Sequence, residues 1–292
     1  MKNKKKRQEV RTAILFLLPE MLVMVVFVLF PMIYALYLSF TEWNGFNPVK
    51  EFVGLRNYVN LFQNEEFWNS FSITFLYTIL YVVLLFVVAL LFALLNHSIR
   101  GKSNQLYRTL IFSPHSVSMV IAGIVWSFIL NNQKGYLNQL LQLFGIPRQG
   151  FLASRSQALI CIVFISLWIA VGYYMIIFVA ALKDIPASYY EAAEIDGAGP
   201  LQKFAFITLP SLKDTSIFVF VVSTIAALQL FEPIQVVTKG GPAKATYTIV
   251  KYIYDTAFQL QDMGGASAAA FILFLVIMLL TIVQFKVTKM EL

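Results

Sequence analysis

The chain has 292 residues, of which 59 % are hydrophobic and 13 % charged, and its mean hydropathy is +0.74. A soluble domain carries about 25 % charged residues, so this composition excludes an ordinary water-soluble globule. The net charge of +7 does not form a nucleic-acid-binding stripe, because six of the 22 basic residues crowd into the first eleven positions. There they read as an anchor beside a membrane span; the expected surround is a lipid bilayer, and no nucleic acid is expected as a partner.

A helix needs about 20 apolar residues to cross a bilayer. Six segments qualify: 13–40, 68–95, 109–130, 157–182, 215–237 and 265–285. The chain therefore reads as an all-α membrane protein with six transmembrane helices, in which 1–12 is a basic N-terminus, 13–286 the transmembrane domain and 287–292 a tail. The first apolar run is far longer than the ~7–15 residues of a signal-peptide core, so it is expected to be a retained helix. With the N-terminus inside, the inner segments hold 14 Lys and Arg and the outer segments hold 8. That asymmetry predicts that both termini are cytoplasmic, and the N-terminal cluster carries it. Between the spans, 41–67 supplies Trp43 and other aromatic residues suited to a membrane interface. Residues 131–156 repeat Leu137, Leu140, Leu141 and Phe144 at helical spacing.

The spans hold few groups for chemistry. Besides His115, their only acids or bases are Glu20 and Glu232. An ion-coupled carrier usually needs a set of intramembrane acids or histidines, so a secondary carrier or channel working without an ATPase is the weaker alternative. There is no G-x-x-x-x-G-K-[ST] phosphate loop. Neither His97 nor His115 has a partner at metal-ligand spacing, and Cys161 is the single cysteine. No catalytic residue, cofactor or metal is expected in this chain, and Gly240-Gly241-Pro242 reads as a turn.

The inner segment 183–214 is the most informative connection. Ser188 and Glu191 have the S-x-x-E spacing of a capping box, which predicts a helix start. Gly197 suits a left-handed cap at its end. Pro200 suits the first turn of a second helix over 201–207, and Pro210 is expected to break the chain before the fifth span. A helix this short is marginal alone in water, so it calls for a partner surface.

Glu191-Ala192-Ala193, then Gly197 after three residues, then Ile207-x-Leu209-Pro210 after nine more, resembles the EAA loop of ABC-importer permeases. Further segments resemble the carbohydrate-uptake branch, with its maltose-type and glycerol-phosphate-type permeases. They are Leu17-Leu18-Pro19, Tyr34-x-x-Tyr37-Leu38-Ser39-Phe40, Phe52-Val53-Gly54-Leu55-x-Asn57-Tyr58 and Thr238-x-Gly240-Gly241-Pro242-x-x-Ala245-Thr246. The resemblance covers almost the whole chain. It implies a type I ABC-importer permease fold in a bacterial cell membrane and a transporter subunit that is not itself an enzyme. It also implies three partners: a second homologous permease, a cytoplasmic ABC ATPase dimer that carries ATP and Mg, and an extracytoplasmic solute-binding protein. In that family the loop is the coupling helix, which assigns ATPase coupling to Ser188, Glu191, Ala192, Ala193, Asp196 and Gly197. The small alanines suit a groove, and Glu191 suits pairing with a basic residue; completion of the capping box remains its alternative role.

The resemblance also implies a sugar site in the membrane cavity. Its candidates are His115 after Pro114, Met119, Ser166, Trp168 and Tyr173. In the fifth span the chain has Gln229, Leu230, Phe231 and Glu232 where the maltose-type permease has asparagines, a departure from maltose within the same general class. Helix packing or anchoring at the membrane interface is the alternative role for each of these residues.

Overall fold

The computed structural model describes residues 2–99 and 101–288. The expected tail beyond 288, and Arg100 among the inner basic residues, lie outside the described residues. The chain divides into two compact units, residues 1–64 with 253–274 and residues 65–252 with 275–292.

The first unit begins with α1 (Lys2–Met24), a π-helical turn (Val25–Leu29) and α2 (Phe30–Leu38). Pro31 has no N–H to donate, and the wide turn, in which the Phe30 N–H bonds to the Val25 carbonyl, absorbs the resulting slip in register. The apolar window within Ile14–Leu38 has no buried residue, an arrangement that only lipid or another protein surface makes tolerable. Next come β1 (Thr41–Glu42) and β2 (Glu51–Phe52), paired antiparallel with Thr41 opposite Phe52, and then α3 (Arg56–Gln63). Asn57 Nδ2 donates to the carbonyls of Ser39 and Thr41 at 2.9 Å each, and the Tyr58 and Ser39 hydroxyls lie 2.7 Å apart. Arg56 pairs with Glu42. Two of the sequence motifs that carry the family resemblance are thus one clasp, in which 52–58 satisfies the backbone freed at the end of α2.

In the second unit, α4 (Glu65–Ser98) lies along α8 (Ala158–Lys183). Tyr77, Leu85, Ile162, Met175 and Phe178 fill the core, and Ala89 and Ala93, both wholly buried, let the helices approach. Thr74 and Thr78 return their hydroxyl protons to carbonyls one turn earlier, at 2.7 and 2.8 Å, so neither hydroxyl is stranded. Between these helices in sequence lie α5 (Lys102–Phe112), a 3₁₀ turn (Ser113–Ser116), α6 (Met119–Ile129) and α7 (Tyr136–Leu143). The leucine spacing of 131–156 does produce a helix. After α8 come α9 (Ala187–Ile195), α10 (Pro200–Lys203), a π turn (Phe204–Thr208), α11 (Leu209–Ser211) and α12 (Lys213–Leu228). The chain closes with α13 (Ile249–Phe258) and α14 (Met263–Thr288), and each of these helices contains a boundary between the two units.

Four spans are uninterrupted: Ile14–Leu38, Glu65–Asn96, Ala158–Lys183 and Met263–Val287. The other two are corrected by the structure. The third is not one helix over 109–130 but Ser103–Ser116 and Met119–Ile129 bent by 97°. Pro114 cannot donate to the Leu110 carbonyl, which Ser113 Oγ takes instead at 3.1 Å, and Val117 and Ser118 then run extended. The fifth span, read as 215–237, stops at Leu228; Gln229–Phe231 is not helical, and a π turn (Ile234–Thr238) follows. Pro233 leaves the Gln229 carbonyl without its helical donor, and the Thr248 hydroxyl caps the Leu230 carbonyl at 3.0 Å.

The second inner-loop helix also differs from its expected bounds. It does not end at Ile207 but runs from Pro200 to Ser211, because the π turn carries it past Pro210. The break before the fifth span is real but falls at Leu212, where the axis bends by 65°.

Candidate functional site

The inner loop is a helix pair held by its own side chains. The S-x-x-E expectation fails: Pro186 caps α9, Tyr189 N–H bonds to the Pro186 carbonyl at 3.1 Å, and Ser188 already lies inside the helix with no capping bond. At the other end Gly197 has φ +78°, its N–H bonds to Glu194 O at 3.1 Å, and Ala198 N–H bonds to Ala193 O at 2.8 Å. That pattern is a Schellman cap. At the start of α10, Gln202 Oε1 accepts from the Gly199 N–H at 2.7 Å. Two contacts tie the helices together: Lys203 Nζ to Glu194 Oε1 at 2.6 Å, and Tyr190 OH to Thr208 Oγ1 at 2.9 Å. The Lys203 ammonium, hydrogen-bonded and charge-paired to Glu194, holds that carboxyl below the usual glutamate range.

The loop turns a different set of residues outward. Glu191, Ala192 and Asp196 are exposed, and among the described residues Glu191 has no ion pair. Around them Tyr189 is 56 % exposed, Ile195 88 %, Leu201 83 % and Phe206 79 %. Sequence reasoning missed the clasp residues Tyr190, Lys203 and Thr208. The signal for them is thin: an acid and a base nine positions apart across a glycine turn.

The membrane-side candidates fall into separate groups. His115, on the 3₁₀ turn, stacks on Tyr173 of α8, with ring centres 5.0 Å apart at 20°, and Phe112 stands 5.5 Å from the same imidazole. His115 and Tyr173 are both exposed. Their meeting depends on Gly172: a Cβ there would overlap the Ile111 carbonyl oxygen and lie 2.7 Å from Phe112 Cα. Trp168 makes an edge contact with Trp126 at 5.6 Å. Met119 packs against the small cluster of Leu130, Cys161 and Ile165. Ser166 is buried in the α4–α8 core beside the Tyr77 phenol, without a well-formed hydrogen bond. Gln229, Phe231 and Glu232 lie at the break after α12, where the Phe231 carbonyl accepts the Gln235 N–H at 2.9 Å. Sequence reasoning passed over Gly172, although a lone glycine within a long apolar helix signals close packing.

The glycine-rich segment after the fifth span is a structural turn. Thr238 and Thr246 share a hydroxyl contact of 2.7 Å, Thr246 donates to the Gly241 carbonyl at 2.8 Å, and Gly240 has φ +91°.

Residues 99–289 match the family described as "Binding-protein-dependent transport system inner membrane component". The chain is 35 % identical over 278 residues to "Probable ABC transporter permease protein YurN" of Bacillus subtilis, covering 94 % of this chain and 95 % of that protein. It is 33 % identical over 274 residues to "sn-glycerol-3-phosphate transport system permease protein UgpA" of Shigella flexneri, covering 93 % and 92 %. Its fold matches a chain of a bacterial ABC transporter involved in the import of the acidic polysaccharide alginate, with a TM-score of 0.87, 24 % identity and 99 % coverage of each chain. The reading as a carrier working without an ATPase gives way to these findings. The chain belongs to the binding-protein-dependent transport system inner membrane component family, as a multi-pass permease subunit of an ABC importer.

Proposed function

We propose that this chain is one half of the translocation path of a bacterial sugar or polyol importer, with both termini in the cytoplasm and a second homologous permease forming the other half. A separate ATPase dimer holds ATP and Mg and docks on the coupling loop 183–214. An extracytoplasmic solute-binding protein loads the outer side. The observation that carries the reading is the inner loop. Its own contacts use Glu194, while Glu191 and a rim of exposed apolar side chains remain available to another protein. An amphipathic rim of this kind is costly in water and stable against a partner. Ala192 and Ala193 let such a helix sit deep, and movement of the ATPase would pass through α9 to α12 into the membrane helices.

The solute class rests on relatives and on chemistry together. UgpA is named for sn-glycerol-3-phosphate, and the alginate transporter for a polysaccharide; a related structure holds that transporter with an alginate pentasaccharide-bound periplasmic protein. The exposed His115–Tyr173 stack offers an aromatic face with polar edges, the combination that suits a polyhydroxylated solute. Trp168, Gln229 and Glu232 complete the proposed polar and aromatic set, with Met119 and Phe231 as supporting residues, while Ser166 backs it only from within the α4–α8 core.

The test is ATPase activity of the reconstituted complex across a sugar panel with its binding protein. One sugar or polyol should stimulate hydrolysis, and Gly197→Val should abolish stimulation while the subunits still insert in the membrane. A residue with a β-carbon at φ +78° is strained by about 1–2 kcal/mol. Stimulation by no polyhydroxylated solute, or an unaffected Gly197→Val variant, would sink the reading. Cysteines placed at 3 and 290 should react only after permeabilisation; labelling from outside would reverse the orientation.

A further inference from the structure

A polar pocket of about 330 Å³ opens where α4 ends, α5 begins and α8 ends. Its polar lining is Asn96, Gly101, Asn104, Arg108 and Lys183, above an apolar floor from α4 and α8. Asn96 is fully buried. Its Oδ1 accepts from Arg108 Nε at 3.0 Å, and since a guanidinium only donates, the other end of that amide must be the NH₂. That NH₂ has no hydrogen-bond partner. Asn104 supplies no acceptor for it through its own amide nitrogen, which donates to the Asn96 and Ile99 carbonyls at 2.7 and 2.9 Å.

Every other strong feature of the pocket has the same polarity. Arg108 retains two terminal nitrogens as donors beyond its Nε bond. Lys183, in the last turn of α8, is exposed and makes no ion pair among the described residues. Gly101 is the N-cap of α5, an eleven-residue helix, so the positive end of that helix lies at the pocket. No carboxylate is among the described lining residues; Asp184 follows Lys183 but does not line the cavity. A buried donor without an acceptor costs free energy, and Asn96 lines the pocket together with two cations and a helix N-terminus.

We propose that this pocket binds a phosphate-type oxyanion, whose oxygens accept from the Asn96 amide, Arg108 and Lys183. Two sources carry that chemistry: the headgroup of an anionic phospholipid and a free phosphate from the aqueous side. The inference draws on the proposed orientation only for the side of the membrane the anion comes from.

The full chain purified in neutral detergent should bind radiolabelled orthophosphate saturably, and Lys183→Gln should weaken binding about tenfold. Asn96→Leu should do the same; because loss of Asn96 also strips Arg108 of a partner, the exposed Lys183 is the variant on which the test stands if Asn96→Leu does not fold. In nanodiscs of phosphatidylcholine with added phosphatidylglycerol, retained lipid is read by native mass spectrometry. Selective phosphatidylglycerol retention that Lys183→Gln abolishes, without orthophosphate binding, assigns the site to headgroups. Orthophosphate binding that added phosphatidylglycerol leaves unchanged assigns it to the free anion. Equal behaviour of wild type and Lys183→Gln towards both probes would overturn the site. Gly197→Val should bind orthophosphate normally, so failure of the anion site and failure of the importer reading are separately visible.

Discussion

Gly197 ends a helix and Gly172 packs against a broken one, and they are required for opposite reasons. Gly197 closes α9 at φ +78°, yet a Cβ built on it would meet nothing within 4 Å. Its requirement is conformational, and the space around it is empty. Gly172 lies inside regular α8, where any residue has the right backbone, but its missing side chain is the space that the Ile111–Phe112 backbone occupies. The loop 183–214 is therefore shaped by local rules, and its Glu191 side is left exposed. The broken third span is shaped by an element about sixty residues away in sequence and is already closed.

Five substitutions test that contrast. The largest effect belongs to Gly172→Val. Its side chain displaces backbone, so it should cost about 3 kcal/mol of stability and separate His115 from Tyr173; a thermal unfolding midpoint equal to wild type would show that the close approach is not needed. Next is Glu191→Ala on the open side of the loop. Loss of a charge-assisted contact of about 2 kcal/mol should weaken co-purification of the ATPase with no change in this chain's own melting. Unaltered ATPase association would leave Glu191 a surface residue.

His115→Ala and Tyr173→Phe test the closed region for function. Each removes one hydrogen-bonding group from the stack and should raise the half-saturation constant for solute about threefold to tenfold, with basal ATPase activity unchanged. Identical concentration dependence in both would make the pair a packing contact and move the solute site to the partner permease. The smallest effect is expected of Glu194→Gln, the exposed clasp inside the loop. Lys203 lowers the Glu194 carboxyl in the folded chain, so the pair's contribution is complete above the ordinary glutamate range and disappears as pH falls through the lowered value. Hydrogen exchange of the loop should be slightly faster in Glu194→Gln at neutral pH, and the two proteins should converge in acid. A difference that persists at low pH would argue against the ion pair as its cause.

Much of the candidate site was legible because its cues are local. The EAA loop is short, and the left-handed demand at Gly197 and the helix start at Pro200 both follow from residue chemistry within one or two turns. Even there the capping box failed: Ser188 and Glu191 have the required spacing, but Pro186 caps the helix two residues earlier and removes Ser188 from the cap. Spacing alone does not say which residue stands outside the helix. In the membrane the same limit is stronger, because apolar runs on every face hide which side is buried. Ser166 reads as a polar contact position, and the fold turns it toward Tyr77 in the α4–α8 core.

By itself, the amino-acid sequence determined that the chain lives in a bilayer, where the apolar segments lie, and that 183–214 carries a family signature. These follow from transfer of apolar residues out of water and from local backbone chemistry, both readable along the chain. Only the tertiary structure decided that the third and fifth spans are broken, that His115 stands on Tyr173, and that Asn96 faces Arg108 with its amide donor unmatched. A proline announces a lost hydrogen bond, but whether the chain bends by a few degrees or by 97° depends on which distant surface receives the freed segment. Here Gly172 provides that surface, and its consequence appears only once α8 and the third span are packed together.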